Sequence, residues 1–190
     1  MKTLQAVAVF CGSRLGQHPE YREAAAELGK LLGERRIDMV YGGASVGLMG
    51  AIADAALEHG GNVTGVITEG LKEKELAHAG LSKLCVVSSM HERKAMMERL
   101  SQGFIALPGG IGTLEEIFEI LTWAQLGLHR KPCGLLNVNG YYDGLISFLK
   151  TMEHQGFVKE LFGRRLLLED KADALVDQMT AAFESDLEVP

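Results

Sequence analysis

The stretch Phe104-Ile105-Ala106-Leu107-Pro108-Gly109-Gly110-Ile111-Gly112-Thr113-Leu114-Glu115-Glu116-Ile117-Phe118-Glu119-Ile120-Leu121 runs from an unbroken apolar segment, through a glycine-rich turn, into apolar side chains at helical spacing. A short apolar run with no polar alternation marks a strand covered on both faces, as in a parallel sheet. The same strand–turn–helix grammar recurs along the chain. Strands are expected at 6–11, 38–41, 63–68, 84–88, 104–107, 133–138 and 166–168. Helices are expected at 20–32, 48–58, 91–100, 114–126, 142–154 and 172–183. This alternation predicts an α/β protein with a doubly wound, mostly parallel, Rossmann-like sheet flanked by helices on both faces. Without a linker, repeat or low-complexity segment, residues 1–190 read as a single domain. Residues 69–80 are the least regular and suggest a surface excursion near the strand ends.

Composition narrows the partners. Hydrophobic residues make up 47% and charged residues 23%, an ordinary globular balance. A net charge of -6 argues against a nucleic-acid polymer or an anionic membrane surface, both of which need a basic face. No apolar run approaches the ~20 residues that span a bilayer, and the N-terminus lacks a signal-peptide pattern. Cys11, Cys85 and Cys133 are odd in number, widely spaced and set in apolar runs. They read as small buried hydrophobes in a reducing compartment, with no metal-ligand spacing. The expected location is the cytoplasm, and no metal or organic cofactor is called for.

In doubly wound sheets, ligands bind beyond the carboxyl ends of the strands, so the strand-to-helix turns carry the information. Three are glycine-rich: Cys11-Gly12-Ser13-Arg14-Leu15-Gly16, Tyr41-Gly42-Gly43-Ala44-Ser45-Val46-Gly47-Leu48-Met49-Gly50, and Leu107-Pro108-Gly109-Gly110-Ile111-Gly112-Thr113-Leu114-Glu115-Glu116. Glycine permits close backbone approach to a ligand, and a helix starting at once offers free N–H groups and a positive dipole end. Each could also be a plain tight turn. The third is the strongest anion site, and Gly12, Ser13, Gly42 and Gly43 are candidates for further phosphate- or base-lining loops. A P-loop lysine motif is absent, and the third turn has Glu115 where a dinucleotide fingerprint needs glycine.

The carboxylates beside the third turn admit two readings. Thr113 followed by Glu116 has capping-box spacing, a purely structural role. Alternatively, a carboxylate beside a phosphate site has a separate job, and acid–base work is one. Glu115, Glu119 and Thr122 form a polar helical stripe, while Glu116 shares a side with Ile120 and Trp123 and is expected to be partly buried. Ser89-Met90-His91-Glu92-Arg93-Lys94 opens another helix. Its cations are either a solvated face or a pair aimed at an anion or an acidic partner. His59, His78, His129 and His154 are scattered and read as surface residues, whereas Met96, Met97, Ile117, Phe118 and Leu121 read as core.

Residues 108–116, Pro-Gly-Gly-Ile-Gly-Thr-Leu-Glu-Glu, resemble the P-G-G-x-G-T-x-x-E signature of the LONELY GUY family of cytokinin-activating phosphoribohydrolases, whose bacterial members can also hydrolyse AMP. Met90-His91-Glu92-Arg93-Lys94 is similar to that family's second motif. The resemblance extends to Phe10-Cys11-Gly12-Ser13, to residues 41–50 and to residues 122–127. It implies a Rossmann-like homodimer with its active site near the subunit interface, acting on a nucleoside 5′-monophosphate without a cofactor. It further implies Arg93 and Glu116 as the catalytic pair. Gly109, Gly110, Ile111, Gly112, Thr113, Leu114 and Glu115 would line the nucleotide site, and Glu75, Lys94 and Thr122 would contact the ligand. Proteins of this kind have also been labelled lysine decarboxylases, yet no lysine here sits in a Schiff-base or pyridoxal-phosphate motif. A non-catalytic carrier of a phosphorylated ligand, such as a molybdenum-cofactor carrier, is the main rival, and an NAD-dependent oxidoreductase is more distant.

Overall fold

The computed structural model describes residues 3–72, 77–159, 161–163 and 165–186. Its strands are β1 (Ala6–Phe10), β2 (Asp38–Tyr41), β3 (Val63–Thr68), β4 (Lys83–Val87), β5 (Gly103–Ala106), β6 (Cys133–Leu136) and β7 (Leu166–Glu169). They form one sheet in the order β4-β3-β2-β1-β5-β6-β7, and every neighbouring pair is parallel. The helices are α1 (Pro19–Glu34), α2 (Gly47–Glu58), α3 (Glu69–Lys72), α4 (Met90–Leu100), α5 (Ile111–Gln125), α6 (Asp143–His154) and α7 (Ala172–Asp186). The expected doubly wound α/β architecture is the one the chain adopts. Its elements lie within a few residues of the sequence expectations, except that the stretch expected to be irregular from residue 69 opens with the short helix α3, and that the β6 run stops at Leu136 and gives way to a 3-10 turn at Val138–Gly140.

The apolar strands are explained by two cores. Val7, Val9, Met39 and Ile105 face the side packed by α1, α2 and α7. Ala8, Phe10, Val40 and Phe104 face the side packed by α4, α5 and α6. Side chains alternate across the sheet, and both faces are dry, so the strand sequence has no polar alternation. The strand order runs outward in both directions from the boundary of β1 and β5. The crossovers leave that boundary on opposite faces and open a crevice between the loops after the two strands. Among the described residues, no helix is long and apolar enough to cross a membrane.

One histidine departs from the surface expectation. His129 is buried. Its Nε2 donates to the Ile120 carbonyl at 3.0 Å, its Nδ1 accepts from the Lys131 N–H at 3.2 Å, and its ring lies 5.5 Å from that of Phe104. The turn after α5 folds back over the sheet, so a polar ring with both nitrogens satisfied can be buried there. Burial holds its pKa below the ordinary value of 6.5, against the pull of the Ile120 hydrogen bond. A depressed histidine contributes stability that is complete above the unfolded pKa and is lost as pH falls towards the folded pKa. Melting temperature should therefore fall as pH drops below 6.5, and thermal denaturation of His129→Gln over the same range should show a shallower slope.

Candidate active site

The crevice at the β1/β5 boundary is a cleft of about 580 Å³. Its walls come from the turn after β1 (Cys11, Gly12, Ser13, Arg14, Leu15, Gly16), the turn after β5 (Pro108, Gly109, Gly110) and the start of α5 (Ile111, Gly112, Thr113, Glu116). Tyr21, Leu48, Met49, Arg93 and Tyr141 complete it. The two turns are tied together, since the Gly12 N–H donates to the Pro108 carbonyl at 3.1 Å. Gly109 is required by space: a Cβ there would stand 2.1 Å from Thr113 Oγ1.

Helix α5 begins earlier than the capping-box reading places it. Gly110 is its N-cap, in extended backbone with no side chain to cap it, and Ile111 is its first residue. Thr113 is thus the third helical residue, buried at 4% exposure against Gly109. The Thr113/Glu116 pair lies inside the helix and forms no capping box. The first intrahelical bond runs from the Leu114 N–H to the Gly110 carbonyl at 3.2 Å, so the N–H groups of Ile111, Gly112 and Thr113 lie in the turn that has no intrahelical acceptor. A Cβ at Gly110 or Gly112 would meet nothing within 4 Å. Neither glycine has positive φ. Open space in front of an uncapped helix N-terminus is the geometry that receives an anion.

A related cap does occur, on α4. Ser89 is its N-cap, and its hydroxyl accepts from the Glu92 N–H at 3.1 Å. The Glu92 carboxylate accepts from the Ser88 N–H at 2.9 Å and the Ser88 hydroxyl at 2.7 Å. These bonds hold the Glu92 carboxyl below its ordinary pKa. The Ser89-x-x-Glu92 spacing was the available sequence signal for this cap. With an acid serving the helix end, the cations are not a solvated face: Arg93 and Lys94 are both buried.

Arg93 lies across the ends of β2 and β3. Its Nε donates to the Val66 carbonyl at 2.9 Å and its Nη2 to the Gly42 carbonyl at 3.3 Å. A Cβ at Gly42 would stand 2.3 Å from Nη2, so this glycine makes room for the guanidinium. Nη1 is 3.8 Å from Glu116 Oε1, and the Glu116 side chain is only 13% exposed. Glu116 lies four residues after Gly112, directly below it on the same helical face. Among the described residues lining the cleft, it is the one carboxylate. Cys11 lies nearby; burial and the Glu116 charge push its thiol pKa up, which keeps it protonated and unsuited to nucleophilic attack.

The remaining candidates divide. Gly12 and Ser13 line the cleft, whereas Gly42 seats Arg93 and Gly43 lies outside the lining. Leu114 packs into the α5 side of the core. Glu115 and Lys94 pair with each other at 2.5 Å, Lys94 also contacts Glu119 at 2.8 Å, and neither lines the cleft of the single chain. Burial alone would lower the Lys94 pKa, but the hydrogen bonds and charges of Glu115 and Glu119 raise it overall. A lysine held protonated by two carboxylates is the opposite of what Schiff-base chemistry needs. Thr122 is exposed, and its hydroxyl donates back to the Phe118 carbonyl at 2.7 Å. Glu75 lies outside the described residues. Sequence reasoning missed Arg14, Leu15, Tyr21, Leu48, Met49 and Tyr141 as cleft residues. Arg14 and Leu15 stand in the first glycine turn and Leu48 and Met49 at the end of the second, so all four could have been read there; Tyr21 and Tyr141 reach the cleft only through the tertiary packing of α1 and the turn after β6.

Fold and cleft together define a Rossmann-like α/β protein with a phosphate-type turn at its topological switch point and a buried Arg–Glu pair beside it. A family model described as "Possible lysine decarboxylase" matches residues 49–179. The chain is 49% identical to the cytokinin riboside 5′-monophosphate phosphoribohydrolase LOG7 of Arabidopsis thaliana, over 91% of this chain and 80% of the relative. It is 45% identical to the cytokinin riboside 5′-monophosphate phosphoribohydrolase LOG of Oryza sativa subsp. japonica, over 96% of this chain and 82% of the relative. The chain belongs to this LONELY GUY family. Among solved structures, the molybdenum cofactor carrier protein of Chlamydomonas reinhardtii superposes with a TM-score of 0.71 at 19% identity, covering 94% of this chain and 99% of that one, a likeness of fold alone.

Proposed function

We infer that this protein hydrolyses the N-glycosidic bond of a purine riboside 5′-monophosphate, releasing the free base and ribose 5-phosphate. The observation that carries the reading is the placement of one carboxylate, Glu116, one helical turn below an uncapped, glycine-opened helix N-terminus. Its family supports the same reading, since relatives that are 45% and 49% identical are named phosphoribohydrolases. The carrier alternative loses ground, because carrier proteins share only the fold, at 19% identity.

The 5′-phosphate sits on the N–H groups at the start of α5, and the ring held there presents C1′ towards Glu116. As the C1′–N bond breaks, its electron pair leaves with the base, which takes up a proton from solvent. Positive charge builds on the ribose ring as an oxocarbenium-like state. The Glu116 carboxylate stabilises that charge and accepts a proton from the water that attacks C1′. Arg93 balances the carboxylate in a buried setting and holds it in place. Arg14, exposed on the cleft wall, adds a cation for the phosphate.

The protein works as a homodimer in the cytoplasm. Lys94, Glu115 and Thr122 match family positions yet lie outside the single-chain cleft, which fits completion of the site by a second copy. Exposed apolar side chains on the same elements support this: Met90 on α4, and Leu126 and Leu128 at the end of α5. Buried, unpaired Cys11 and Cys133 suit a reducing compartment.

The test of the reaction is base release, measured by chromatography, from AMP, from N6-isopentenyladenosine 5′-monophosphate and from adenosine. Free base should come from the monophosphates and not from adenosine. Base from no nucleotide would defeat the reading. A second result is expected at Gly112. With nothing near its would-be Cβ, Gly112→Ala should keep or slightly raise the melting temperature, since alanine suits a helix better than glycine by roughly 0.5–1 kcal/mol. The added methyl occupies the phosphate position, so KM for monophosphates should rise by about tenfold or more, a loss of about 1.4 kcal/mol. An unchanged KM would put the phosphate elsewhere.

A further inference from the structure

The turn between β6 and α6 delivers two tyrosines to the backbone of the glycine turn after β5. Tyr142 is buried and donates its hydroxyl to the Leu107 carbonyl at 2.6 Å. Tyr141 donates its hydroxyl to the Gly109 carbonyl at 2.5 Å and, unlike Tyr142, also lines the cleft. The turn that carries them is constrained. Asn139 and Gly140 both take left-handed backbone, with φ of 51° and 68°. The Asn137 side chain spans the turn, accepting from the Tyr142 N–H at 2.7 Å and donating to Asp143 at 2.8 Å. The Tyr141 ring is clamped edge-on between Tyr142, at 5.0 Å, and Tyr21 of α1, at 5.6 Å. Two successive left-handed residues and two flanking rings thus aim one partly exposed hydroxyl at one carbonyl.

That carbonyl belongs to the peptide joining Gly109 to Gly110. In a trans peptide the C=O and the following N–H point in opposite directions, so fixing the Gly109 oxygen also fixes the direction of the Gly110 N–H. This peptide has glycine on both sides and is the one in the turn most free to flip. In the flipped orientation its oxygen would replace its N–H on the opposite side of the turn, and lone pairs facing a phosphate repel it. We propose that Tyr141 is a positioning residue for the phosphate: its hydroxyl locks the peptide between Gly109 and Gly110 in the orientation that leaves an N–H, not a carbonyl, for the anion. The proposal rests on the reading above that a 5′-phosphate binds at the start of α5. Tyr141 acts on the ligand through the backbone and is not a catalytic residue.

The test is calorimetric titration of the wild type and Tyr141→Phe with ribose 5-phosphate and, separately, with free adenine, alongside steady-state kinetics on AMP. The substitution removes only the hydroxyl and keeps the clamped ring. One lost hydrogen bond of ordinary strength corresponds to roughly a fivefold to tenfold weakening. Tyr141→Phe should weaken ribose 5-phosphate binding and raise KM for AMP by that factor, with adenine affinity and kcat within about twofold. Unchanged ribose 5-phosphate affinity in Tyr141→Phe, or equal weakening of ribose 5-phosphate and adenine, would overturn the proposal, the second by revealing a general loosening of the cleft. Failure of the wild type itself to bind ribose 5-phosphate would instead overturn the phosphate reading on which the proposal stands.

Discussion

Glu116→Gln should lower the rate of base release by about a thousandfold while leaving ribose 5-phosphate affinity within about twofold, because a positioned carboxylate acts mainly on the transition state. The amide keeps the shape of the side chain and removes its charge, so neither the phosphate site at the start of α5 nor the packing of the helix is disturbed. The neighbouring Glu115→Gln supplies the contrast. Glu115 is half exposed and paired with Lys94, which keeps a second partner in Glu119. Its loss should change kcat by no more than about tenfold, in keeping with the modest worth of an exposed ion pair. Measured kcat and KM for the two variants on one monophosphate decide between the adjacent carboxylates. A large kcat loss confined to Glu115→Gln would move the catalytic role by one residue.

Arg93→Ala should fail in two ways, losing activity and stability together. The guanidinium is buried, and its removal takes a donor from the Val66 and Gly42 carbonyls and a cation from beside Glu116. Breaking such an arrangement from one side destabilises by roughly 2–4 kcal/mol, or about 5–15 °C in melting temperature for a domain of this size. Arg93→Lys separates the two effects. It keeps a cation in the pocket but loses the planar fork that reaches two carbonyls and the carboxylate at once. It should recover part of the lost stability, read by thermal denaturation, and still release base at least about a hundredfold more slowly than the wild type. Near-normal kcat in Arg93→Lys would reduce the residue to a charge.

The fold was legible in the sequence because its strands are buried on both sides. Runs such as Ala6-Val7-Ala8-Val9-Phe10 carry no polar alternation, and each is followed by a turn and a helical stripe. The glycine-rich turn was legible for a related reason: three glycines clustered immediately before a helical stripe stand out, although the structure gives Gly109 a packing role against Thr113 and leaves open space only at Gly110 and Gly112. The start of α5 was misread because Thr113 and Glu116 have capping spacing, while the true N-cap, Gly110, has no side chain to reveal it. Arg93 and Lys94 could be singled out but not located. Two adjacent cations at a helix start look solvated until the tertiary structure supplies carbonyls from β3 and from the turn after β2 for one and carboxylates of α5 for the other. His129 was invisible as a buried residue, because its partners are a backbone carbonyl and a backbone N–H, which carry no sequence signal. Tyr141, in the turn after β6, and Tyr21, in the first turn of α1, come together from distant parts of the chain, and nothing local marks either as part of the cleft.

In the proposed reaction, the start of α5 grips the 5′-phosphate and so sets C1′ before Glu116. The most direct measurement is a crystal structure of the Glu116→Gln protein with AMP bound. The phosphate oxygens are expected within hydrogen-bonding distance of the N–H groups of residues 110–113, with C1′ facing the residue 116 side chain and Arg93 beside it. A phosphate bound away from that helix end, or a ribose turned so that C1′ faces away from residue 116, would contradict this placement.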